Sequence, residues 1–273
     1  MQWSGDCVDG KAEGPGKLLW AASPLRAPFG SEVGFEGKLS AGQINGPGVW
    51  TIVDTASNVI HSTRIEAVWQ NGEISGIGRY VRGGNYIDDG NTLNSIVTYE
   101  GEFQNREFWG EGRREEITEY RDNRSEHIIE DGRFENNMLS GYGMRWSEVH
   151  SSNGDRKVEQ TVGLHKNREF VGPGTLSFES TSQEGTYRSY GTFKNSIWNG
   201  GMGDVAYANG DRFTGKIDWD GSPIRGECAF FSISYQGRCF KKTFKVGNSA
   251  GIICMVSDKD KNTCLKEIGR WVI

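Results

Sequence analysis

Apolar and polar residues alternate in short segments of the chain, and each segment is centred on a glycine. In Tyr99-Glu100-Gly101-Glu102-Phe103 the two rings and the glycine occupy every second position, and both intervening residues are acidic. Phe35-Glu36-Gly37-Lys38-Leu39 and Phe213-Thr214-Gly215-Lys216-Ile217 follow the same order. Because side chains point alternately to the two faces of a strand, each segment predicts a half-buried strand with its apolar residues and glycine on one face.

A Gly-x-Gly pair follows most of these central glycines at a constant distance. Gly101 is followed nine and eleven residues later by Gly110 and Gly112. The same offsets recur after Gly5, Gly37, Ala67, Gly132 and Gly163. Turn-forming residues such as Glu135-Asn136-Asn137 fill the interval, so the spacing predicts a hairpin whose second strand begins at Gly-x-Gly. We expect both glycines of the pair to face an aromatic ring, because a residue without a Cβ lets a ring lie on the backbone.

Two later repeats depart from this spacing. Gly191 is followed by Gly200 and needs one inserted residue to reach Gly203, and Gly215 keeps only Gly226.

Stacked hairpins bury their rings jointly, as in other solenoids. The residues predicted to maintain the repeat are Gly37, Gly46, Gly48, Gly101, Phe103, Gly110, Gly112, Gly132, Phe134, Gly141, Gly143, Gly172, Gly174, Phe213 and Gly215.

The repeat resembles a known family. Asn209-Gly210-Asp211-Arg212-Phe213-Thr214-Gly215-Lys216 is similar to the MORN motif, Asn-Gly-Asp-x-Tyr-x-Gly-x-Trp followed by a spaced Gly-x-Gly. The likeness extends over residues 3–226 in about eight repeats. We therefore expect an all-β fold, an elongated single-layer antiparallel sheet of about eight stacked MORN β-hairpins. The repeats exceed the family's usual period, and we expect the extra residues, for example 83–94 and 115–127, to form longer second strands and outer loops.

The C-terminal residues 227–273 do not follow the repeat, and we interpret them as a Cys-rich cap on a repeat domain of residues 1–226. Two local disulfides, Cys228–Cys239 and Cys254–Cys264, are the simplest pairing, although four cysteines allow three connectivities. Disulfides would indicate a periplasmic or extracellular protein, and reduced thiols a cytoplasmic one. Because the repeat begins almost directly after Met1, we expect that a leader sequence preceded it.

Composition and motifs argue against several function classes. The formal net charge is −5, whereas nucleic-acid binders usually carry a basic face, so no nucleic-acid partner is predicted. Gly247-Asn248-Ser249-Ala250-Gly251 matches a hydrolase nucleophile elbow, but all four histidines precede it, whereas that elbow requires a later one. Asp258-x-Asp260-x-Asn262 lacks the glycine and the glutamate that a calcium loop needs. The sequence therefore predicts no catalytic residue, metal or cofactor.

Aromatic residues outside the repeat register are the candidates for partner contacts, because aromatic side chains are typical interface anchors. We predict a non-enzymatic scaffold that binds a protein, for example an immunity or inhibitor protein that masks its partner, as the resemblance to extracytoplasmic bacterial MORN proteins suggests. A membrane- or phospholipid-associated MORN protein and a structural homo-oligomer are the alternatives. The candidate contact residues are Phe108, Trp109, Tyr142, Phe170, Trp198 and Trp219.

Overall fold

The chain is all-β in a computed structural model that describes residues 2–21, 32–56, 59–88, 91–180, 185–194, 197–206, 212–217, 223–230 and 235–240. These residues contain strands and turns and no helix. The chain divides into two compact units, residues 1–152 and 153–273. The strands of the first unit are β1 (Gln2–Trp3), β2 (Asp6–Val8), β3 (Lys11–Ala21), β4 (Glu32–Ser40), β5 (Gln43–Ala56), β6 (Val59–Gln70), β7 (Glu73–Asp88), β8 (Asn91–Gln104), β9 (Glu107–Tyr120), β10 (Ser125–Glu135) and β11 (Met138–His150). Those of the second are β12 (Arg156–Lys166), β13 (Glu169–Ser180), β14 (Gly185–Lys194), β15 (Ile197–Ala206), β16 (Arg212–Ile217), β17 (Pro223–Phe230) and β18 (Tyr235–Phe240).

Each unit is an antiparallel sheet in which strands pair with their neighbours in sequence. From β3 to β11, and again from β12 to β18, every strand pairs with the one before it and the one after it within its unit. Both β1 and β2 pair with β3. The described strands form eight hairpins, of which the one of β6 and β7 is centred on Ala67 and the others on a glycine, so the prediction of an antiparallel array of stacked β-hairpins is confirmed.

A row of glycines crosses the first unit at right angles to its strands. Gly37 pairs directly with Gly48, Gly78 with Gly101, and Gly112 with Gly132, and only Ala67 interrupts the row between Gly16 and Gly143. A Cβ placed on Gly112 would lie 2.6 Å from Cζ of Tyr99, the ring two residues before Gly101. The glycine row therefore leaves the space that the aromatic rings occupy against the sheet backbone.

The two glycines of each Gly-x-Gly pair have different roles, which corrects the expectation that both face a ring. Gly46, Gly76 and Gly110 have φ of +81°, +79° and +62°, in the region that favours glycine. A Cβ on Gly76 would meet nothing within 4 Å. The ladder shifts register beside this first glycine, for example between Ala67 and Trp69 on the partner strand. The first glycine therefore serves a β-bulge, and the second, such as Gly78, makes room for side chains.

The rings of the first unit pack in one continuous cluster on the glycine side of the sheet. Tyr99 and Phe108 stack with ring centroids 3.9 Å apart, and Phe103 and Phe134 meet Tyr99 edge to face at 5.2 Å each. Apolar burial and ring contacts together stabilise neighbouring hairpins against each other, because each ring lies between rings of adjacent strands. The buried members are Leu18, Phe35, Leu39, Ile44, Trp69, Ile74, Tyr99, Phe103, Phe108, Phe134 and Leu139.

Within the described residues, six hairpins turn in two residues, and both residues have positive φ, the signature of a type I′ turn. Their residue pairs are Asp9-Gly10, Ala41-Gly42, Asn71-Gly72, Asn105-Arg106, Asn136-Asn137 and Asn167-Arg168. Successive turns of the first unit are also linked to each other. The amide of Gly42 donates to the carbonyl of Ala12 at 2.9 Å, and the amide of Gly72 donates to that of Ile44 at 2.9 Å. Each such bond holds one hairpin against the preceding one.

The extra residues of the long repeats extend the strands. β7 continues to Asp88 and β8 starts at Asn91, so most of residues 83–94 are paired backbone. Between Tyr120 and Ser125 a short turn is closed by the amide of Tyr120, which donates to the carbonyl of Arg124 at 2.9 Å. The prediction of longer second strands is confirmed, and the first strands lengthen to match them, whereas long outer loops are wrong for these two segments.

The second unit shows two departures from the repeat. In β15 the register pairs Gly191 with Gly201, and Gly203 with Gly215, so neither Gly200 nor Gly203 lies opposite Gly191. His165 stands where other repeats carry a ring. Its Nδ1 lies 3.0 Å from the carbonyl oxygen of Gly163, and Thr161 Oγ1 lies 2.9 Å from its Nε2. The buried imidazole thus closes a local hydrogen-bond network, and Phe170 supplies the ring over Gly163 and Gly174.

The Tyr99 hydroxyl supports a prediction about pH. Its one proton is shared between the backbone carbonyls of Glu102, at 2.9 Å from the hydroxyl oxygen, and Trp109, at 3.3 Å, next to the bulge at Gly110. Burial raises the pKa of the Tyr99 phenol well above its ordinary value, and the carboxylate of Glu102 adds to the rise. A group whose pKa is raised on folding contributes stability below its unfolded pKa and loses it as the pH increases. The free energy of unfolding should therefore fall above about pH 10, where an unfolded tyrosine ionises.

We expect Tyr99→Phe to remove this part of the pH dependence. The variant should be about 1 kcal/mol less stable at neutral pH, because it lacks the hydroxyl proton that the two carbonyls accept. Urea unfolding of both chains between about pH 8 and about pH 11 measures the difference. Equal losses of stability in both chains over that range would contradict the prediction.

Candidate protein-binding surface

The sheet of the first unit has two unlike faces. The face with the glycine row and the buried rings is here called the ring face, and the opposite one the polar face. Strand alternation and the cross-strand pairings place each side chain on one face or the other: Ile96 and Glu100, for example, point away from Tyr99. Exposed aliphatic and charged side chains lie along the polar face, which makes it the candidate contact surface.

Charged residues form an alternating ladder along the polar face. Direct cross-strand pairs join Glu66 to Arg79, Arg79 to Glu100, Glu100 to Arg113, and Arg113 to Asp131. Arg79 Nε lies 3.1 Å from Glu100 Oε1, and Arg113 Nη1 lies 3.5 Å from Asp131 Oδ2. Such exposed pairs contribute little stability, but opposite charges in register favour this pairing over a shifted one.

Exposed aliphatic side chains lie on the same face, towards the outer ends of the strands. Ile96 and Ile117 pair directly across β8 and β9 and are 51% and 38% exposed. In the same cross-strand row, Val53 pairs with Ser62, Ser62 with Gly83, and Gly83 with Ile96. Exposed apolar groups that are contiguous and surrounded by charge are typical of interaction sites.

A shallow hollow lies within this row. Ser62 and Gly83 form its floor, and a Cβ on Gly83 would meet only Ile96 Cγ1 at 3.8 Å and the carbonyl oxygen of Ser95 at 3.9 Å. The aliphatic residues that surround the floor on the polar face are Val53, Ile60, Val81 and Ile96. Val53, Ile60 and Ile96 are exposed and Val81 is half-buried, so the apolar walls of the hollow are accessible to a partner.

An imidazole borders the apolar row on its other side. His127 pairs with Ile117, and its Nε2 lies 2.7 Å from Glu115 Oε1. Its ring meets Trp146 edge to face with centroids 5.1 Å apart. The carboxylate and the indole hold the imidazole in place, which makes this corner of the polar face preorganised.

The sequence-predicted contact residues fall into three groups. Phe108 and Phe170 are only 7% and 5% exposed and pack against core rings, so they belong to the core and not to a contact surface, which corrects the prediction for them. Tyr142 is exposed on the polar face, and Trp109 is half-buried. Trp198 lies in β15 opposite Phe193, and Trp219 lies outside the described residues.

The proposed cysteine pairs can be placed only in part. Cys228 pairs with Gly237, and Cys239 pairs with Gly226, so the two cysteines occupy diagonal positions on neighbouring strands. Cys254 and Cys264 lie outside the described residues. Cys7 is an exposed free thiol. The disulfides and the compartment they indicate stay predictions.

The hollow is not predicted from the sequence, because the predicted contacts are aromatic residues outside the repeat register, whereas the hollow is lined by aliphatic residues. The signal was present in Ser95-Ile96-Val97-Thr98-Tyr99, where continued alternation from Tyr99 puts Ile96 on the face opposite the rings. The floor depends on the register between β6 and β7, which places Ser62 beside Gly83. No local pattern reveals that partnership.

An ionic cluster interrupts the rings on the other face. Arg114 Nη1 lies 3.0 Å from Glu130 Oε2, Arg114 also pairs with Glu116, and Arg145 Nε lies 3.9 Å from Glu130 Oε1. Arg114 and Glu130 are both buried. Two arginines and two glutamates balance in charge, so the cluster is a structural element of the ring face and offers no excess charge to a ligand.

The described residues contain no group of three or more histidines, cysteines or carboxylates arranged to hold a metal ion. In the same part of the chain, no helix has the length and apolar character that a membrane-spanning helix requires. Comparison of the sequence with known protein families and with curated proteins gave no match.

Proposed function

We propose that the chain is a MORN-type binding module that holds a protein partner on the polar face of its first unit. The observation that supports this proposal most directly is the exposed pair Ile96 and Ile117, in contact range of Gly83 and His127 on neighbouring strands. Because both isoleucines are already partly buried, completing their burial would stabilise a complex by roughly half of the ~1.5–3 kcal/mol that a fully exposed isoleucine contributes. An immunity or inhibitor role, in which the module masks its partner, is one form of this function.

The surrounding charges are suited to specificity. The ladder from Glu66 to Asp131 fixes a pattern of alternating sign beside the apolar row, and a partner must match that pattern. The sheet backbone underneath is rigidly paired, so the surface needs no ordering on binding. These features favour a protein partner over a membrane, whose anionic headgroups would be repelled by the carboxylates of this face.

The test uses the full chain as bait in native extract, with mild crosslinking, and compares it with two variants. Ile117→Asp should abolish capture of the partner, because it places a charge in the centre of the apolar row. Gln70→Asp introduces the same charge on the polar face next to the turn Asn71-Gly72 and should leave capture unchanged. Equal capture by both variants would count against this face.

Light scattering of the purified full chain addresses the alternative of a homo-oligomer. A monomer that captures a partner supports the proposed function, and a polymer that Ile117→Asp dissolves would support self-association through this face. Flotation with anionic vesicles addresses the lipid alternative: clear binding of the chain would contradict the proposal.

A further inference from the structure

The geometry points to a partner with a basic contact surface, from which one lysine or arginine side chain lies in the hollow over Ser62 and Gly83. This inference rests on the proposed function and names the chemistry of the partner. It depends on the shape of the hollow, on its aliphatic walls, and on the charges around it.

The shape admits a side chain of limited width. Neighbouring strands lie about 4.8 Å apart, so Val53 and Ile96 stand about 14 Å apart across β5 to β8. Only a hydroxymethyl group and a glycine lie between them in that row. Along the strands, Ile60 and Val81 border the same floor. A linear chain of methylene groups fits such a hollow better than an aromatic ring.

The charges around the hollow select a cation for the end of that chain. The nearest arginine, Arg64, already pairs with Glu66 at 2.7 Å, and Arg79 pairs with Glu100. Two exposed carboxylates differ from these pairs. Glu32 lies opposite Val53, and Glu119 lies two residues beyond Ile117 on β9. Neither has a basic partner among the described residues. The basic residues of this face that lack an acidic partner in the described chain, Lys38 and Arg133, lie near the hairpin turns. The charges nearest the hollow that lack a partner among the described residues are therefore carboxylates.

Lysine and arginine combine the two properties that the hollow requires. Their stems bury along apolar surface while their charged ends stay in water, where Glu32 or Glu119 can approach them. A neutral aliphatic side chain would fill the hollow but would place no positive charge near the two carboxylates. An acidic side chain would be repelled, which excludes acidic partner surfaces by the same charges.

The experiment starts from the protein that crosslinks to a photoreactive benzoylphenylalanine in place of Ile96. That protein is identified, purified and titrated against the full chain by calorimetry. Gly83→Leu fills the hollow with a side chain that the strand accommodates, and we expect it to weaken binding at least about tenfold. Gln70→Leu adds the same side chain near the turn and should leave the affinity unchanged.

Charge is tested separately in the same titration. Glu32→Lys combined with Glu119→Lys should weaken binding at least about tenfold and flatten its dependence on salt between about 50 mM and about 300 mM NaCl. The lysines and arginines of the captured protein are then replaced one by one with methionine. For the residue that occupies the hollow, the replacement should weaken binding to the native chain but should not weaken it further in the Gly83→Leu chain.

The outcomes separate this inference from the proposed function. If the partner binds the Gly83→Leu chain as tightly as the native one, or binds through an acidic surface, the inference is wrong and the binding function stands. If no protein binds the full chain at all, the proposed function fails and this inference fails with it.

Discussion

Gly112→Ala should destabilise the full chain by about 3 kcal/mol, at the upper end of what an overpacked core usually loses. The new methyl carbon would lie 2.6 Å from two carbon atoms of the Tyr99 ring. That ring cannot retreat, because Phe108 stacks on it at 3.9 Å and Phe134 meets it at 5.2 Å. Urea unfolding of the full chain, followed by tryptophan fluorescence, measures the loss.

Two matched glycines show which property of Gly112 is responsible. Gly83→Ala puts its methyl group in the open hollow, 3.8 Å from the nearest atom, and should change stability by less than about 0.5 kcal/mol. Gly76→Ala meets no atom within 4 Å but keeps a φ of +79°, so it should lose about 1 kcal/mol from backbone strain alone. Equal effects at all three positions would contradict the assignment of a steric role to the second glycine and a conformational role to the first.

Glu130→Ala should also lose about 3 kcal/mol, because removing one member of a buried ion pair leaves the other charge without its partner. Glu130 is fully buried and lies between Arg114 on β9 and Arg145 on β11. After the substitution Arg114 retains Glu116, which keeps the loss near the lower end of the usual range for buried pairs. The measurement is again urea unfolding of the full chain.

Asp131→Ala is the natural control, because Asp131 is the next residue on the same strand and points to the other face. Its ion pair with Arg113 is about half exposed on both sides, so its removal should lose less than about 1 kcal/mol. A loss at Asp131 as large as that at Glu130 would show that the ladder, and not the buried cluster, stabilises the register of β9 and β10.

Much of the fold follows from local pattern. The alternation around Gly101 or Gly37 specifies a half-buried strand, and Asn-rich intervals specify tight turns, since both signals act between residues close in sequence. The candidate contact residues were predicted less well. Phe108 is predicted as a partner contact because it lies outside the repeat register, but the β-bulge at the first glycine places it on the ring face opposite Phe103. A bulge moves the following residues of the strand from one face of the sheet to the other, and the spacing of the glycines does not show where a bulge occurs.

The sequence by itself determined the hairpin repeat, the antiparallel sheet and the side of each first strand that is buried. These depend on side-chain alternation and turn chemistry, which operate over a few residues. Only the tertiary structure decided which glycine of each pair faces a ring, how Arg114 and Glu130 meet inside the ring face, and where Ser62 and Gly83 leave a hollow between Val53 and Ile96. Each of these depends on the register between strands, because a pairing across the sheet is set by bulges and turn lengths that act together.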